Sequence, residues 1–237
     1  METFTNRNGL KIAYKFSIKN PEDKRIYIVL QFVFFDMDFL IYSFFSQSLE
    51  VNTFRFDFPG NGKSDGEFTY AGHISEAGDI DDVVKFLVSR GYIVEGIIGH
   101  SKSATVSIIY SALYGEVKII IAICPKFHKG LIPDYMAQHD AIINSNGEIV
   151  RYAFGCTREM AQEILKIDMK YYCQRARGNI YILHGYEDEV VAYSDSLEFV
   201  KELGRRCKGH FALNCDHMLT GALDDVVTII SQIIRDS

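Results

Sequence analysis

Short apolar runs alternate along the chain with stretches whose apolar residues recur at helical spacing. The runs are rich in β-branched residues, and several are apolar throughout, which is typical of strands covered on both faces. They read LKIAYKFSI, RIYIVLQF, VNTFRFDF, VEGIIGH, VKIIIAIC, NIYILHG and HFALNC. The helical patterns read ISEAGDIDDVVKFLVSRG, SATVSIIYSALYG, YSDSLEFVKELG and ALDDVVTIISQII. This alternation predicts an α/β fold, a mostly parallel sheet with helices on both faces.

One segment, from about 127 to 177, interrupts the alternation. It contains PDYMAQHDAIINS, a predicted short hairpin at NGEIVRYAF and a predicted helix at TREMAQEILKIDMKYY. Binding sites of open α/β sheets lie at the carboxyl ends of the strands, so an insertion after a strand is expected to form a lid there. The length of 237 residues, 48% of them hydrophobic, fits one domain over 1–237.

Charge and cysteine usage exclude several functions. The net charge of −6 comes without a basic block, so we expect no nucleic-acid partner. The cysteines have no paired spacing, which predicts reduced thiols rather than disulfides or a zinc site; they are Cys124, Cys156, Cys173, Cys207 and Cys215. The amino-terminal stretch has no apolar segment of a secretory signal, and we expect a cytoplasmic protein.

The stretch IYIVLQFVFFDMDFLIYSFF approaches the length of a membrane span. Asp36 and Asp38 lie at its centre, where a carboxylate costs about 2.5–3.5 kcal/mol to insert. The stretch therefore predicts a buried strand followed by a helix, and no membrane span.

The pentapeptide GHSKS, at 99–103, lies between a predicted strand and a predicted helix. Such a turn exposes the oxygen of its serine, here Ser101, and aims the next backbone N–H, that of Lys102, at a developing oxyanion. The pentapeptide matches the nucleophile motif G-x-S-x-G except at its last position, where Ser103 replaces glycine. Ser101 could instead cap the helix, which is the simpler interpretation of a serine at this position.

Two further residues supply what a serine nucleophile needs, which is a base and an acid that orients the base. Asp188 follows the predicted strand NIYILHG, and His217 follows the strand HFALNC. Each of the three therefore lies after the carboxyl end of a strand. Neighbouring groups could replace the acid or the base; these are Glu187, Glu189 and His210.

Together with FRFDFPGNGKSDGEF, LHGYEDEVV and DHMLTG, the motif resembles the α/β-hydrolases of the serine-aminopeptidase-like group, which includes small lidded esterases. The resemblance spans nearly the whole chain. It implies a serine hydrolase that cleaves a carboxylic ester through an acyl-enzyme, with Ser101, Asp188 and His217 as the catalytic triad. It implies no cofactor and no metal, and it makes DFPGNGKSDG a structural turn beside the site.

The oxyanion loop departs from the family. The His-Gly pair expected after the third strand is replaced by Phe32 and Val33, or by Gln31 and Phe32 if the register shifts by one. The second donor would then be the backbone N–H of Val33 or Phe34. Without glycine, the backbone of this loop has less conformational freedom, and its N–H can be aimed less well at the oxyanion. A second hypothesis therefore stays open: a catalytically weak or inactive α/β-hydrolase that acts as a ligand-binding or interaction module.

The stretch GNGKS, at 60–64, also resembles the end of a phosphate-binding loop. Asp57 occupies the place of the first glycine, and Gly66 follows where a helix should begin, so nucleotide binding is the weaker interpretation. Apolar residues of the insertion suggest a small-molecule ester with an apolar acyl or aryl group, although each could equally pack the lid. They are Tyr135, Met136, Ile142, Ile143, Phe154 and Met160.

Overall fold

The computed structural model describes residues 2–32, 35–115, 117–127 and 158–237, and two strands at 142–143 and 149–151. The main sheet has eight strands in the order β1-β2-β4-β3-β5-β6-β9-β10. The strands are β1 (Glu2–Thr5), β2 (Lys11–Ser17), β3 (Arg25–Leu30), β4 (Thr53–Phe56), β5 (Ile93–His100), β6 (Ile119–Ile123), β9 (Asn179–Gly185) and β10 (Cys207–Leu213).

Strand direction divides the sheet into two parts. β2 pairs antiparallel with β1 and β4, whereas every pairing from β4 through β3, β5, β6 and β9 to β10 is parallel. The predicted mostly parallel sheet is confirmed. The sequence did not predict β1, because its four residues are largely exposed and show no apolar run.

Helices cover both faces, as predicted. They are α1 (Leu40–Ser48), α2 (His73–Ser89), α3 (Lys102–Leu113), α4 (Arg158–Leu165), α5 (Met169–Arg175), α6 (Tyr193–Leu203) and α7 (Leu223–Arg235). One core cluster contains residues of α2, α3, α5 and α6, and the other contains residues of α1 and α7. Neighbouring residues of β6 alternate between the clusters, with Ile120 in the first and Ile119 and Ile121 in the second. The central strands are therefore buried on both sides.

The predicted insertion differs from expectation in two places. Strands β7 (Ile142–Ile143) and β8 (Ile149–Arg151) pair antiparallel, so the hairpin begins earlier than NGEIVRYAF. The single helix predicted over 157–172 is wrong: it is divided into α4 and α5, because Asp168 caps α5 by accepting the Tyr171 N–H at 3.2 Å. Since α5 packs against α3 and buries Met169 in the core, this end of the insertion is part of the body.

About half of the insertion lies outside the described residues, including Tyr135, Met136 and Phe154. Only the backbone of Ile142 and Ile143 is described. The lid therefore stays a prediction. In the part of the chain that the structure describes, no helix is both long and apolar enough to cross a bilayer.

Candidate active site

The three residues singled out in the sequence follow parallel strands at the same edge of the sheet. Ser101 comes directly after β5, Asp188 lies in the loop after β9, and His217 lies in the loop after β10. Because the carboxyl ends of parallel strands share one edge, the fold gathers these loops there.

Ser101 occupies a strained turn between β5 and α3. Its φ is 59° and its ψ is −119°, a region that residues with a side chain rarely adopt. Its N–H donates to the carbonyl of Ile123 at 2.8 Å, which ties the turn to β6. The Ser101 side chain makes no capping hydrogen bond to α3, so helix capping does not explain this serine.

The residues on either side of Ser101 account for the shape of this turn. A Cβ at Gly99 would lie 2.8 Å from the Ser103 carbonyl oxygen, so only glycine fits there. The turn accommodates serine instead of glycine at position 103, because the Ser103 Oγ accepts the His100 N–H at 3.0 Å. The same Oγ lies 3.2 Å from the Leu30 carbonyl oxygen, which it can donate to.

Asp188 and His217 form a buried pair. His217 Nδ1 lies 2.7 Å from Asp188 Oδ2, and Asp188 Oδ1 accepts the N–H groups of Val190 at 2.9 Å and Val191 at 2.7 Å. Burial by itself would raise the pKa of Asp188, but hydrogen bonds from His184 and His217 outweigh it and hold that pKa well below its usual value. The carboxylate is therefore ionised and fully engaged.

His184, which the sequence analysis did not single out, is a second histidine on this carboxylate. Its Nε2 lies 3.0 Å from the Val191 carbonyl oxygen and 3.3 Å from Asp188 Oδ2. The next residue, Gly185, brings β9 against the loop that carries His217, because a Cβ there would lie 2.1 Å from the Cys215 carbonyl oxygen. The tripeptide Leu-His-Gly before the acidic loop was the signal available in the sequence.

The alternative acids and base lie elsewhere. Glu187 and Glu189 are exposed, whereas Asp188 is buried. His210 Nε2 lies 3.0 Å from Ser196 Oγ, and its ring stacks on Tyr193. The structure thus brings Asp188, and neither neighbouring glutamate, onto His217.

The second ring nitrogen of His217, Nε2, is buried and has no hydrogen-bond partner among the described residues. Ser101 Oγ therefore does not hydrogen-bond to His217 Nε2 in this structure. In proteins without substrate, the hydrogen bond between a serine nucleophile and its base is often long or poorly aligned. Of the two ring nitrogens of His217, Nδ1 is paired with Asp188 and Nε2 is the one without a partner among the described residues.

The oxyanion loop is described only in part. Lys102 begins α3, which places its N–H at a helix N-terminus, but Val33 and Phe34 lie outside the described residues. Phe32 donates its own N–H to Tyr42 Oη at 2.8 Å, so that donor is already engaged. The Phe32 ring packs against His217, with ring centroids 5.7 Å apart.

Lys102 also forms a buried ion pair that its motif gave no reason to expect. Its Nζ lies 2.6 Å from Glu76 Oε1 and donates to the Thr69 carbonyl oxygen at 3.0 Å. The two side chains are 8% and 10% exposed. The pair links α2 to the first residue of α3, directly after Ser101.

Removing one partner of this pair should destabilise the fold. We expect Glu76→Ala to lower the free energy of unfolding by about 3–5 kcal/mol, because it leaves the Lys102 charge buried and unpaired. The double variant Glu76→Leu with Lys102→Met should recover most of that loss. Glu198→Ala, which breaks the more exposed Lys201 pair (3.4 Å), is the control and should cost about 1 kcal/mol or less. Urea unfolding measures all three, and a Glu76→Ala loss no larger than the control would contradict the prediction.

The loops of this edge hold the backbone strain and a buried thiol. Among the described residues other than glycine, positive φ occurs at Ser101, Cys124 and Leu219. Ligand atoms of Cys124, His100 and His217 lie within 4.8 Å of one another, as a metal site would require. Both ring nitrogens of His100 already have hydrogen-bond partners, so an ion bound by this group would break one of those bonds.

The loop GNGKS does not lead into a helix. Asp57 accepts the N–H of Met37 at 2.7 Å and of Lys63 at 2.9 Å, while Ser64 Oγ donates to the Asp57 carbonyl at 2.6 Å. The next helix, α2, begins only at His73. This is a turn organised around Asp57, and it lacks the helix start that a phosphate-binding loop requires.

The sheet order, the helices on both faces and the strained serine turn after β5 define the α/β-hydrolase fold. Est1E from Butyrivibrio proteoclasticus, solved with ferulic acid bound, is similar with a TM-score of 0.79 and 18% identity over 100% of this chain and 98% of that chain. The esterase Pf2001 from Pyrococcus furiosus is similar with a TM-score of 0.75 and 16% identity, covering 99% and 91%.

XC6422 from Xanthomonas campestris, described as an α/β serine hydrolase without a lid, has a TM-score of 0.68 and 15% identity, covering 99% of this chain and 93% of that chain. No protein-family model matches the sequence, and no curated protein is significantly similar to it. At these identities the likeness establishes the fold, and the residues of the site must carry the argument about chemistry.

Proposed function

We propose that the chain is a serine hydrolase that cleaves a carboxylic ester through an acyl-enzyme. The observation that carries the proposal is the buried, ionised Asp188 held 2.7 Å from His217 at the sheet edge where Ser101 occupies its strained turn. Solved esterases with the same fold support it.

In the acylation step, Ser101 Oγ attacks the ester carbonyl carbon and its proton passes to His217 Nε2. Asp188 accepts the His217 Nδ1–H, which fixes the tautomer and stabilises the imidazolium. The tetrahedral oxyanion receives the Lys102 N–H, together with the N–H of Val33 or Phe34. Collapse breaks the bond to the alkoxy oxygen, which takes the proton from His217 and leaves as an alcohol.

In the deacylation step, His217 Nε2 takes a proton from water as the water oxygen attacks the acyl carbon. The new tetrahedral intermediate expels Ser101 Oγ, and His217 returns the proton to it. The carboxylic acid leaves and the free enzyme is restored, so no cofactor or metal enters the cycle.

A cluster of aromatic side chains that reaches His217 through Phe32 supports an ester with an apolar acyl or aryl group. The rings of Phe32 and Phe35 lie 4.3 Å apart between centroids, and those of Phe35 and Phe39 lie 4.1 Å apart. Phe32 also contacts the His217 ring. Aromatic and apolar side chains commonly line the binding sites of small apolar ligands.

The hydrolysis of 4-nitrophenyl acetate by the purified protein tests the proposal. Because this ester has a good leaving group, acylation should outrun deacylation and release a burst of about one nitrophenolate per protein molecule before steady turnover. Without the His-Gly pair, steady turnover should be modest, since a poorly aimed donor costs up to about 10²–10³-fold. Hydrolysis no faster than in buffer would overturn the proposal in favour of a ligand-binding α/β-hydrolase.

A further inference from the structure

A series of hydrogen bonds, which we call the relay, joins two loops of the site. The Phe32 N–H donates to Tyr42 Oη at 2.8 Å, Tyr42 Oη lies 3.1 Å from His100 Nδ1, and His100 Nε2 lies 2.9 Å from the His217 carbonyl oxygen. Tyr42 and His100 are each 1% exposed, and His217 is 3% exposed. The relay runs from the loop after β3 through α1 and the residue before Ser101 to the loop that carries His217.

The direction of each bond follows from chemistry. The His217 carbonyl oxygen can only accept, so His100 Nε2 carries the proton and, in the neutral ring, His100 Nδ1 accepts. The Tyr42 hydroxyl then donates to Nδ1 while its oxygen accepts the Phe32 N–H. Burial and the neighbouring His217 lower the pKa of His100 to about 3, which keeps this ring neutral.

The relay holds Phe32, which lies where this sequence departs from the family pattern. Phe32 stands at the place of the missing pair and immediately precedes Val33, a candidate oxyanion donor. The Phe32 N–H is fixed by Tyr42, and its ring packs on His100 and His217 with centroids 5.2 Å and 5.7 Å away. These contacts fix Phe32 itself, at a position where the family pattern has a residue of a different kind.

The relay also holds the backbone of His217, through its carbonyl oxygen. Asp188 binds the side chain at Nδ1, and His100 binds the carbonyl oxygen, so His217 is fixed at two points. Leu219, two residues further on, has a φ of 60°, a strained conformation that persists only when its surroundings hold it.

We propose that Tyr42 and His100 are positioning residues that keep Phe32 and His217 in register with Ser101. This inference rests on the proposed hydrolase function. Neither Tyr42 nor His100 acts on the substrate. Loss of either side chain should therefore lower kcat and leave KM near the wild-type value.

Three variants test the relay. Tyr42→Phe removes one hydroxyl and keeps the ring, and we expect it to lower kcat about 10-fold, whereas His100→Leu should lower kcat about 100-fold, the cost of a misplacement of about 1 Å. His100→Gln should recover most of the His100→Leu loss, because the glutamine amide can donate from nearly the position of the imidazole Nε2–H.

The matched control is Tyr27→Phe. Tyr27 is a tyrosine of β3 with 6% exposure that lies outside the chain of hydrogen bonds, so kcat should be unchanged. Thermal unfolding of each variant separates misfolding from misplacement. A wild-type kcat in Tyr42→Phe, or no recovery in a folded His100→Gln, would overturn the inference even though the enzyme is active.

A spectroscopic measurement makes failure of the relay distinguishable from failure of the proposed function. In ¹⁵N-histidine NMR spectra of the wild-type protein, His100 should carry its proton on Nε2, and Tyr42→Phe should shift the Nδ1 resonance. A proton on Nδ1 would overturn the relay whether or not the protein hydrolyses esters. Inactive wild-type protein with the expected His100 tautomer would instead refute the hydrolase function, and with it the catalytic role of the relay.

Discussion

Ser101→Ala should reduce the rate of ester hydrolysis by about 10⁶-fold in kcat, because no acyl-enzyme can form without the Oγ nucleophile. Hydrolysis somewhat above the rate in buffer should remain, since the oxyanion donors and the binding pocket are kept. The burst of nitrophenolate should disappear completely. Initial rates and burst amplitudes at matched protein concentration measure both effects.

Ser111→Ala is the control for this variant. Ser111 is a fully buried serine of α3, the helix that follows Ser101, and its Oγ donates to the Ile108 carbonyl oxygen at 2.9 Å. It should keep the wild-type rate and burst. A Ser101→Ala protein that retains a tenth or more of wild-type turnover would show that another group attacks the ester.

Asp188→Asn should lower kcat by about 10⁴-fold while the fold is kept. An asparagine amide placed 2.7 Å from His217 Nδ1 can donate to it, which favours the tautomer with the proton on Nε2 and leaves no base for Ser101. Glu187→Gln and Glu189→Gln are the controls, since both side chains are exposed, and they should change kcat little. If Glu187→Gln is the damaging substitution, the acid of the site has been assigned to the wrong residue.

The ionisation of Asp188 also has a consequence for stability. Its pKa is lower in the folded protein than the value of about 3.9 expected in the unfolded chain. The carboxylate therefore contributes stability that is present above pH 4 and is lost as the pH falls through the folded-state pKa. Asp188→Asn should be less stable than wild type at pH 7, and the difference should shrink in acid.

The general architecture could be predicted because burial on both faces leaves a strong local signal. Continuous apolar strands alternate with amphipathic helices, and that alternation determines a mostly parallel sheet. Ser101, Asp188 and His217 each follow the carboxyl end of a strand predicted to be parallel, so their shared edge also follows from the sequence. Asp188 and His217 lie within hydrogen-bond distance in the structure.

The remaining features depend on contacts that no local pattern encodes. Tyr42 and His100 are 58 positions apart in sequence, and the motif around Ser101 places no requirement on residue 100. The Glu76 partner of Lys102 is likewise contributed by another helix. The break between α4 and α5 was missed because apolar periodicity continues across it, while Asp168 caps a new helix.

Labelling with a fluorophosphonate, followed by peptide mapping, tests the central claim most directly, because this reagent needs an activated serine and no knowledge of the substrate. We predict one adduct per protein molecule, located on Ser101, with none on Ser103, and no adduct in Ser101→Ala or in protein denatured before labelling. An unlabelled native protein, or an adduct on Ser103 or another serine, would contradict the assignment of Ser101 as the nucleophile.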